Sequence, residues 1–485
     1  MNSMDLNPVV RLGMVLGALL CLLPMAGSAA EPEAPVFRAG AARANITPPL
    51  GCDIVGNFEV PKATYVHDDL HVRCLVLDDG TTRLALVLCD NLGVDQNVFD
   101  EAKRRLQELT SIPPEHILMA AIHTHSGPAA RVSKCPGGYG EFTAYQQFMV
   151  DRIVDGVQCA ITNLEPAQIG WGRGEEPSQV NNRRWHLSDP ALMVSPFGAQ
   201  DQVRMNPPRA HAALVEPAGP TDPEIVFIAV RSVDGRPIAL LANYSLHYVG
   251  GVPGGHISAD YFGAFADRIQ QLLGADRQEP PFVGMLSNGT SGDINNINFR
   301  VPTPKREPYE QIHRVANMVA AEVFRVYQTV EFKDQAKLGG RLARLTLGVR
   351  KPDEAQVQWA NEILAKPEAE VDIVKRSYAH RTLNLLDCPD HVDVWVQALR
   401  IGDAGVAGIP FETFAETGLR LKAESPLPVT FTISQANGGF GYLPTPAQHE
   451  LGGYETWLGT SKVAVESEPA IVDTLFRQFA ELAAE

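Results

Sequence analysis

Runs of apolar residues alternate with amphipathic stretches along this chain. Residues 70–77 and 83–89 are two apolar runs joined by an Asp-Asp-Gly turn, which predicts a β-hairpin. Residues 96–110 follow, with apolar positions three and four apart, as in a helix with one buried face. The apolar run at 117–122 then predicts a buried strand. Strand, helix and strand in this order indicate α/β layering.

The rest of the chain continues this alternation. The pattern predicts further helices at residues 143–163, 260–273, 310–330, 413–423 and 470–484. It predicts further strands at residues 224–231, 237–246, 282–286, 392–401, 405–409 and 429–434. Residues 195–223 are rich in proline and are predicted to form a long loop. Because no linker or internal repeat divides the chain, we expect one large domain over residues 31–485.

The amino-terminal segment has the pattern of a signal peptide. Arg11 precedes an apolar stretch at residues 12–25, and small residues at 26–30 supply a cleavage site. The apolar stretch is too short for a good transmembrane span. We therefore expect a signal peptide at residues 1–30 and an exported protein, periplasmic or secreted, without a transmembrane segment.

Charge and cysteine content narrow the function classes. The chain has 485 residues and a net charge of −16, which argues against nucleic acid or an anionic membrane as a partner bound through bulk charge. Six of the seven cysteines lie beyond the signal peptide, and their spacing matches no zinc-finger pattern. The sequence does not assign disulfide pairs among them.

Two histidines follow the apolar run at 117–122. Residues two apart on a strand face the same side, so His123 and His125 are expected to project together at the strand's carboxyl end. Imidazole is a common zinc ligand, and one or both rings could bind a metal. The alternative is a pair of hydrogen-bonded structural histidines, which a His-x-His sequence alone favours.

Polar residues also end other predicted strands. His247 follows the strand at 237–246 and precedes a glycine-rich loop. The loop at 287–295 is dense in small polar groups and backbone donors that could hold an oxyanion or a hydroxyl group. Glu412 lies at a strand-to-helix junction, and Tyr442 follows the strand at 429–434. Taken singly, each of these residues is compatible with a structural role.

Taken together, the motifs resemble the neutral/alkaline (non-lysosomal) ceramidase family. They lie in the family's order and are His-Thr-His-Ser-Gly-Pro at 123–128, Asn-Tyr-Ser-Leu-His at 243–247, Ser-Asn-x-x-x-Gly-Asp-Ile at 287–294, Pro-Phe-Glu-Thr at 410–413, and the tyrosines Tyr442 and Tyr454. The resemblance implies a single large mixed α/β domain with central β-sheets covered by helices.

The resemblance also implies a set of site residues. A zinc ion would be held by His123, His247, Glu412 and Tyr442. His125 would lie beside the metal and shuttle a proton, since the pKa of an imidazole lies near neutral pH. The remaining polar groups, Arg183 and Tyr454, would stabilise the developing oxyanion.

The chain departs from the family in two ways. The family has a serine after its Gly-Asp-Val run, whereas Asn295 occupies that position here. An amide donates and accepts hydrogen bonds but is neither a nucleophile nor a base, so Asn295 is expected to contact substrate only through hydrogen bonds. The family usually carries a C-terminal immunoglobulin-like domain, whereas this chain is expected to contain the catalytic domain alone.

The first functional hypothesis is an exported zinc-dependent hydrolase. A zinc-bound water would attack an amide, with N-acyl sphingosine as the substrate that the resemblance implies. Two alternatives stay open. The same zinc scaffold could act on a carbohydrate derivative as a hydrolase or lyase, because polar loops at 171–185 and 287–299 suit a hydrophilic substrate. The chain could also be a non-catalytic exported binding protein.

Overall fold

Two β-sheets lie at the centre of the computed structural model, which describes residues 36–137 and 140–485. The expected signal peptide at residues 1–30 lies outside the described residues. The strands of the described chain are β1 (Arg38–Asn45), β2 (Tyr65–Val66), β3 (His71–Asp78), β4 (Arg83–Cys89), β5 (Ile117–Ala121), β6 (Glu165–Glu175), β7 (Asn181–Asn182), β8 (Arg184–Leu187), β9 (Arg204–Met205), β10 (Leu214–Pro217), β11 (Glu224–Ser232), β12 (Pro237–Tyr244), β13 (His256–Ile257), β14 (Val283–Asn288), β15 (Ile294–Asn295), β16 (Leu338–Gly348), β17 (His391–Ile401), β18 (Ala404–Ile409), β19 (Glu412–Thr413), β20 (Val429–Ser434) and β21 (Tyr442–Leu443).

Helices cover both sheets. They are α1 (Gln96–Thr110), α2 (Ala144–Thr162), α3 (Asp260–Leu272), α4 (Glu310–Tyr327), α5 (Glu354–Leu364), α6 (Ile373–Leu386), α7 (Ala415–Glu424), α8 (Pro446–Glu450) and α9 (Ser467–Ala484). For example, α2 packs on β1 and β3, and α9 packs on β16 and β17. The mixed α/β class expected from the sequence is therefore confirmed. Within the described residues, no helix combines the length and hydropathy that a bilayer crossing requires.

The larger sheet has eight strands in the order β14-β12-β11-β6-β1-β3-β4-β5, and the smaller has four in the order β16-β17-β18-β20. Strands β4 and β5 pair in parallel, as do β12 and β14. Every residue of β5 is buried, as expected of a parallel strand covered on both faces. A backbone bridge between Ala120 and Ala436 joins β5 to the segment after β20, so the ends of the two sheets meet.

The predicted hairpins and helices are largely confirmed. Helix α1 has the predicted bounds and buries its apolar face, including Phe99 and Leu106. The hairpin of β11 and β12 is antiparallel as predicted. The predicted long loop at 195–223 is wrong in part, because it contains the short strands β9 and β10. Strands β1, β6 and β16 and helices α5 and α6 were not predicted.

The glycines of β6 explain why the sequence did not predict this strand. Its glycines were not assigned to a strand, yet β6 pairs with β11 over nine residues. A Cβ atom at Gly172 would lie 2.5 Å from the ring of Phe227 and 2.8 Å from a methyl group of Val326. The large neighbours occupy the space that side chains on this face would otherwise fill, so the strand depends on glycine there.

Candidate metal centre

His123 lies in a turn after β5, not on the strand itself. The strand ends at Ala121, and His123 has φ = +72°, a left-handed conformation that is rare for residues with a side chain. Its N–H donates to the carbonyl oxygen of Asn91 at 3.0 Å. The expectation that strand alternation aligns His123 and His125 was therefore wrong. The turn brings their Nε2 atoms to 3.2 Å of each other instead.

His247 reaches the same place from the other side of the large sheet. It follows β12, and its Nδ1 lies 3.0 Å from the carbonyl oxygen of Ser291, in the polar loop after β14. The carboxylate of Asp260 accepts hydrogen bonds from the N–H groups of Val249 and Gly250, both at 2.9 Å, and so fixes the loop after His247. Burial raises the pKa of Asp260 to about 6, although these N–H groups oppose the rise.

Glu412 and Tyr442 face each other on two short parallel strands, β19 and β21. One carboxylate oxygen of Glu412, Oε2, lies 3.2 Å from Nε2 of His123 and 3.8 Å from Nε2 of His247. The Tyr442 hydroxyl oxygen accepts a hydrogen bond from Nη2 of Arg183 at 2.9 Å. These five side chains therefore meet in one buried region, although they come from five separate parts of the sequence.

Hydrogen bonds to carbonyl groups determine the tautomers of two histidines. Nδ1 of His123 lies 2.6 Å from the Leu92 carbonyl oxygen, and Nδ1 of His247 faces the Ser291 carbonyl oxygen. A carbonyl only accepts, so each Nδ1 carries the hydrogen and each neutral ring presents a bare Nε2. Nε2 of His247 and Oε2 of Glu412 are buried without a hydrogen-bond partner. Converging buried acceptors of this kind can hold a metal ion, which supplies the missing positive charge.

Charge in this region shifts two ionisation equilibria. Burial would raise the pKa of Glu412, but His123 and His247 outweigh it and hold the pKa well below the ordinary value of a glutamate. Burial also raises the pKa of the Tyr442 phenol well above its ordinary value, and the Arg183 guanidinium opposes that rise. A cation beside Tyr442 would further favour the phenolate.

His125 differs from the other two histidines. Its Nδ1 is buried without a partner and its Nε2 lies 3.2 Å from Nε2 of His123, so no carbonyl group holds the ring. The ring stacks on Tyr248 with centroids 3.7 Å apart. On its other side lies Gly56, with φ = +125°, where a Cβ atom would come within 2.8 Å of the imidazole. Burial, with the neighbouring imidazoles of His123 and His247, holds the pKa of His125 well below its ordinary value.

Arg183 is held by a buried charge network. Its Nε donates to Oε1 of Glu455 at 2.8 Å, and Nη1 of Arg184 donates to Oε2 of the same carboxylate at 2.8 Å. Sequence reasoning missed Glu455, because it follows Tyr454 outside the motifs. The network orients Arg183 toward Tyr442, and both carboxylate oxygens of Glu455 accept a hydrogen bond from an arginine.

Asp293 links the segment that contains Arg183 to the segment that follows Glu412. Its side chain accepts hydrogen bonds from Nδ2 of Asn182 at 2.8 Å and from the N–H of Ala415 at 2.9 Å. By contrast, the amide of Asn295 donates to Asn206 and accepts from Ile297. Among the described residues that line the cavities at the histidines, Asn295 is absent. Its expected contact with substrate stays a prediction.

Three cavities meet at Tyr454. One of about 240 Å³ contains His123, His125 and Glu412 in its wall, and one of about 190 Å³ is lined by Arg183 and His125. A third, of about 560 Å³, is lined by apolar side chains, among them Phe58, Leu192, Met193, Met205 and Trp457, and also by the charged residues Asp201, Arg204, Asp372 and Lys375. Because Tyr454 lines all three, the cavities are neighbours around one side chain.

Sequence reasoning missed four cations that line the 240 Å³ cavity. They are Arg131, Lys134, Arg381 and Lys462. None belongs to a motif, and they come from two loops and from α6. A disulfide between Cys135 and Cys388 links the loop of Lys134 to the end of α6, a pairing that the sequence could not assign.

Comparison with known proteins identifies the family. The sequence profile described as "Neutral/alkaline non-lysosomal ceramidase, N-terminal" matches residues 37–305, which is more than half of the chain. The chain belongs to this family. The resemblance inferred from the motifs is confirmed.

Curated relatives align over part of their length. The neutral ceramidase of Mycobacterium tuberculosis is 30% identical over 142 residues, which is 26% of this chain and 21% of the relative. Neutral ceramidase A of Dictyostelium discoideum is 23% identical over 253 residues, which is 49% of this chain and 32% of the relative. The aligned part is thus a third or less of each relative.

Solved structures agree on the fold. A ceramidase complexed with C2 superposes with a TM-score of 0.68 at 18% identity, over 92% of this chain and 75% of that one. The neutral ceramidase from Pseudomonas aeruginosa superposes with a TM-score of 0.65 at 18% identity, over 93% of this chain and 75% of that one.

Proposed function

We propose that this protein is an exported zinc-dependent hydrolase of N-acyl amides. His123, His247, Glu412 and Tyr442 would hold the metal. The observation that carries the proposal is the convergence of bare acceptor atoms on His123, His247 and Glu412, two of them buried without a partner. Nitrogen and oxygen donors of this kind suit zinc, and the histidines have the outer hydrogen bonds typical of ligands.

His125 is better suited to proton transfer than to permanent ligation. No carbonyl group holds either nitrogen of its ring, whereas Nδ1 of His123 and Nδ1 of His247 are each held by one. A bound zinc ion would polarise the substrate carbonyl and acidify water. His125 would take a proton from the attacking water and deliver it to the amine nitrogen as the carbon–nitrogen bond breaks, so an acid and an amine leave.

Two further residues would act on the carbonyl group. Arg183 is held in place by Glu455, so its guanidinium needs little reorganisation to stabilise negative charge on the carbonyl oxygen. Tyr454 lies where the three cavities meet and would contact the same oxygen or orient the amide. The apolar side chains of the 560 Å³ cavity suit an acyl chain, as an N-acyl sphingosine requires.

A carbohydrate derivative is a second candidate substrate. The 240 Å³ cavity contains Asn57, Asn384 and Thr460 beside its charged residues, and such groups bind hydroxyls. In that case the same metal ligands would act in a hydrolase or a lyase. The apolar side chains of the 560 Å³ cavity favour the N-acyl amide.

Export is supported by two features. Residues 1–30 have the composition of a signal peptide, and the Cys135–Cys388 disulfide persists in an oxidising compartment. We propose a periplasmic or secreted location for residues 31–485, acting as one domain.

Turnover with and without metal tests the proposal. Purified protein is loaded with zinc and assayed on a short-chain N-acyl sphingosine, and on chromogenic amides, esters and glycosides. We expect amide cleavage that a chelator abolishes and added zinc restores. Cleavage of glycosides without amides would support the carbohydrate alternative. A zinc-loaded protein that turns over none of these substrates would contradict the enzyme proposal and favour a binding protein.

A further inference from the structure

The 240 Å³ cavity beside the histidines carries an unusual concentration of positive charge. Arg131, Lys134, Arg381 and Lys462 line it, and Glu412 is the one carboxylate in its wall. Within residues 36–137 and 140–485, none of the four cations has a carboxylate oxygen within 4.0 Å. The carboxylate of Glu412 contacts His123, so it is not an ion-pair partner of any of the four cations.

This charge runs against the composition of the chain. The protein has 57 acidic and 41 basic residues, so a random cavity would more often be acidic. Burial lowers the pKa of Lys462, and the charges of Arg131 and Arg381 lower it further, while Asp95 and Glu412 oppose the shift. Unpaired cations around a concave space attract an anion from solution.

The cations are also near the reacting groups. His123, His125 and Glu412 line the same cavity, and Arg131 contributes to the low pKa of Glu412. A group bound among the cations would therefore belong to the molecule whose amide lies at the histidines. The 560 Å³ cavity also borders Tyr454, and it contains Phe58, Met193 and Trp457 beside two acidic and two basic residues. A molecule that occupied both cavities would therefore have one part among unbalanced cations and another part against apolar side chains.

We propose that the substrate is an amphiphilic N-acyl compound with an anionic oxyacid group, a carboxylate, sulfonate or phosphate. This group binds among Arg131, Lys134, Arg381 and Lys462, and the apolar part occupies the cavity lined by Phe58 and Trp457. The inference rests on the proposed amide hydrolysis and specifies its substrate class. It distinguishes this protein from an enzyme for an uncharged lipid amide.

Matched ligands test the inference. N-octanoylglycine carries a carboxylate, N-octanoyltaurine a sulfonate, and N-octanoylethanolamine no charge, while the apolar chain is the same. Binding is measured by calorimetry on the zinc-loaded His125→Gln protein, in which turnover is suppressed. We expect at least one anionic ligand to bind about tenfold more tightly than the neutral one at low salt, and the preference to shrink as salt rises. The stronger of the two anions shows whether the site prefers a carboxylate or a sulfonate.

Variants that remove single positive charges test whether the four cations cause the preference for anionic ligands. Arg131→Gln and Lys134→Gln should each reduce it about threefold to tenfold, while binding of the neutral ligand stays within twofold. Lys134 is exposed, so its substitution is not expected to affect folding. Lys305→Gln is the matched control, because Lys305 is also exposed and lines none of these cavities.

The outcomes separate the two proposals. Equal binding of charged and neutral ligands, or a preference unchanged in Arg131→Gln and Lys134→Gln, would overturn the inference even if the wild-type protein cleaves amides. Charge-dependent binding without cleavage of any N-acyl ligand by the zinc-loaded wild-type protein would support the anion site and contradict amide hydrolysis.

Discussion

At the scale of single residues, three neighbouring imidazoles divide into two kinds. His123 and His247 each have Nδ1 fixed by a backbone carbonyl, whereas Nδ1 of His125 has no partner. A ring held by a carbonyl group presents its lone pair in one direction, which suits a ligand, and a ring that no carbonyl group holds suits proton transfer. The division of labour in the proposed mechanism follows from these contacts.

Lys462 makes the proposed anion site sensitive to pH. Burial, with the charges of Arg131 and Arg381, lowers the pKa of Lys462 to about 8, although Asp95 and Glu412 oppose the shift. The ammonium therefore loses its proton progressively as the pH rises past about 8. We expect KM for N-octanoyltaurine to rise about threefold to tenfold between pH 7 and pH 9.5, while KM for the neutral analogue changes less.

The control for this prediction keeps the charge. Lys462→Arg should flatten the rise, because a guanidinium does not lose its proton in this range. An identical alkaline rise in Lys462→Arg would show that a different group titrates.

At the scale of elements, the site depends on short segments beyond the ends of strands. The sequence predicted β4, β11 and α1 well, because long periodic runs determine those elements. It also predicted that polar residues follow strand ends. It could not predict that β5 ends before His123, because the left-handed turn depends on contacts such as the hydrogen bond to Asn91.

The sequence also could not predict the cationic wall, by which we mean Arg131, Lys134, Arg381 and Lys462 around the 240 Å³ cavity. Arg131, Arg381 and Lys462 are far apart in the chain and belong to no motif, so only the folded arrangement places them around one cavity. The proposed metal ligands could be named from the sequence because they belong to the family motifs. The sequence alone would have left each one as a plausible structural residue.

The disulfide supports the cationic wall. Cys135 is one residue from Lys134, and Cys388 follows α6, which carries Arg381. We expect the double variant Cys135→Ser/Cys388→Ser to lose about 2–4 kcal/mol of unfolding free energy, measured by denaturant titration. Its KM for N-octanoyltaurine should rise more than kcat falls, because the loop with Lys134 is less constrained.

Cys159→Ser is the matched control for the disulfide. This thiol is free and exposed, so its removal should change neither stability nor KM. A double variant with wild-type stability and KM would show that the disulfide does not support the cavity.

At the scale of the whole molecule, the fold brings four distant segments to one point. His123 follows an edge strand of the large sheet, His247 follows a strand near its other edge, and Glu412 and Tyr442 lie beyond the smaller sheet. A metal ion bound by all four would cross-link both sheets. Its binding free energy would add to the stability of the folded chain.

The most direct test of this account is the zinc content of three purified proteins, measured by elemental analysis after dialysis against metal-free buffer. We expect about one zinc per chain in the wild-type protein and in His125→Ala, and almost none in His247→Ala. His125→Ala should nevertheless lose about 10²–10⁴-fold in turnover, as expected for removal of a proton-transfer group. Full zinc content in His247→Ala, or loss of zinc from His125→Ala alone, would contradict the proposed set of ligands.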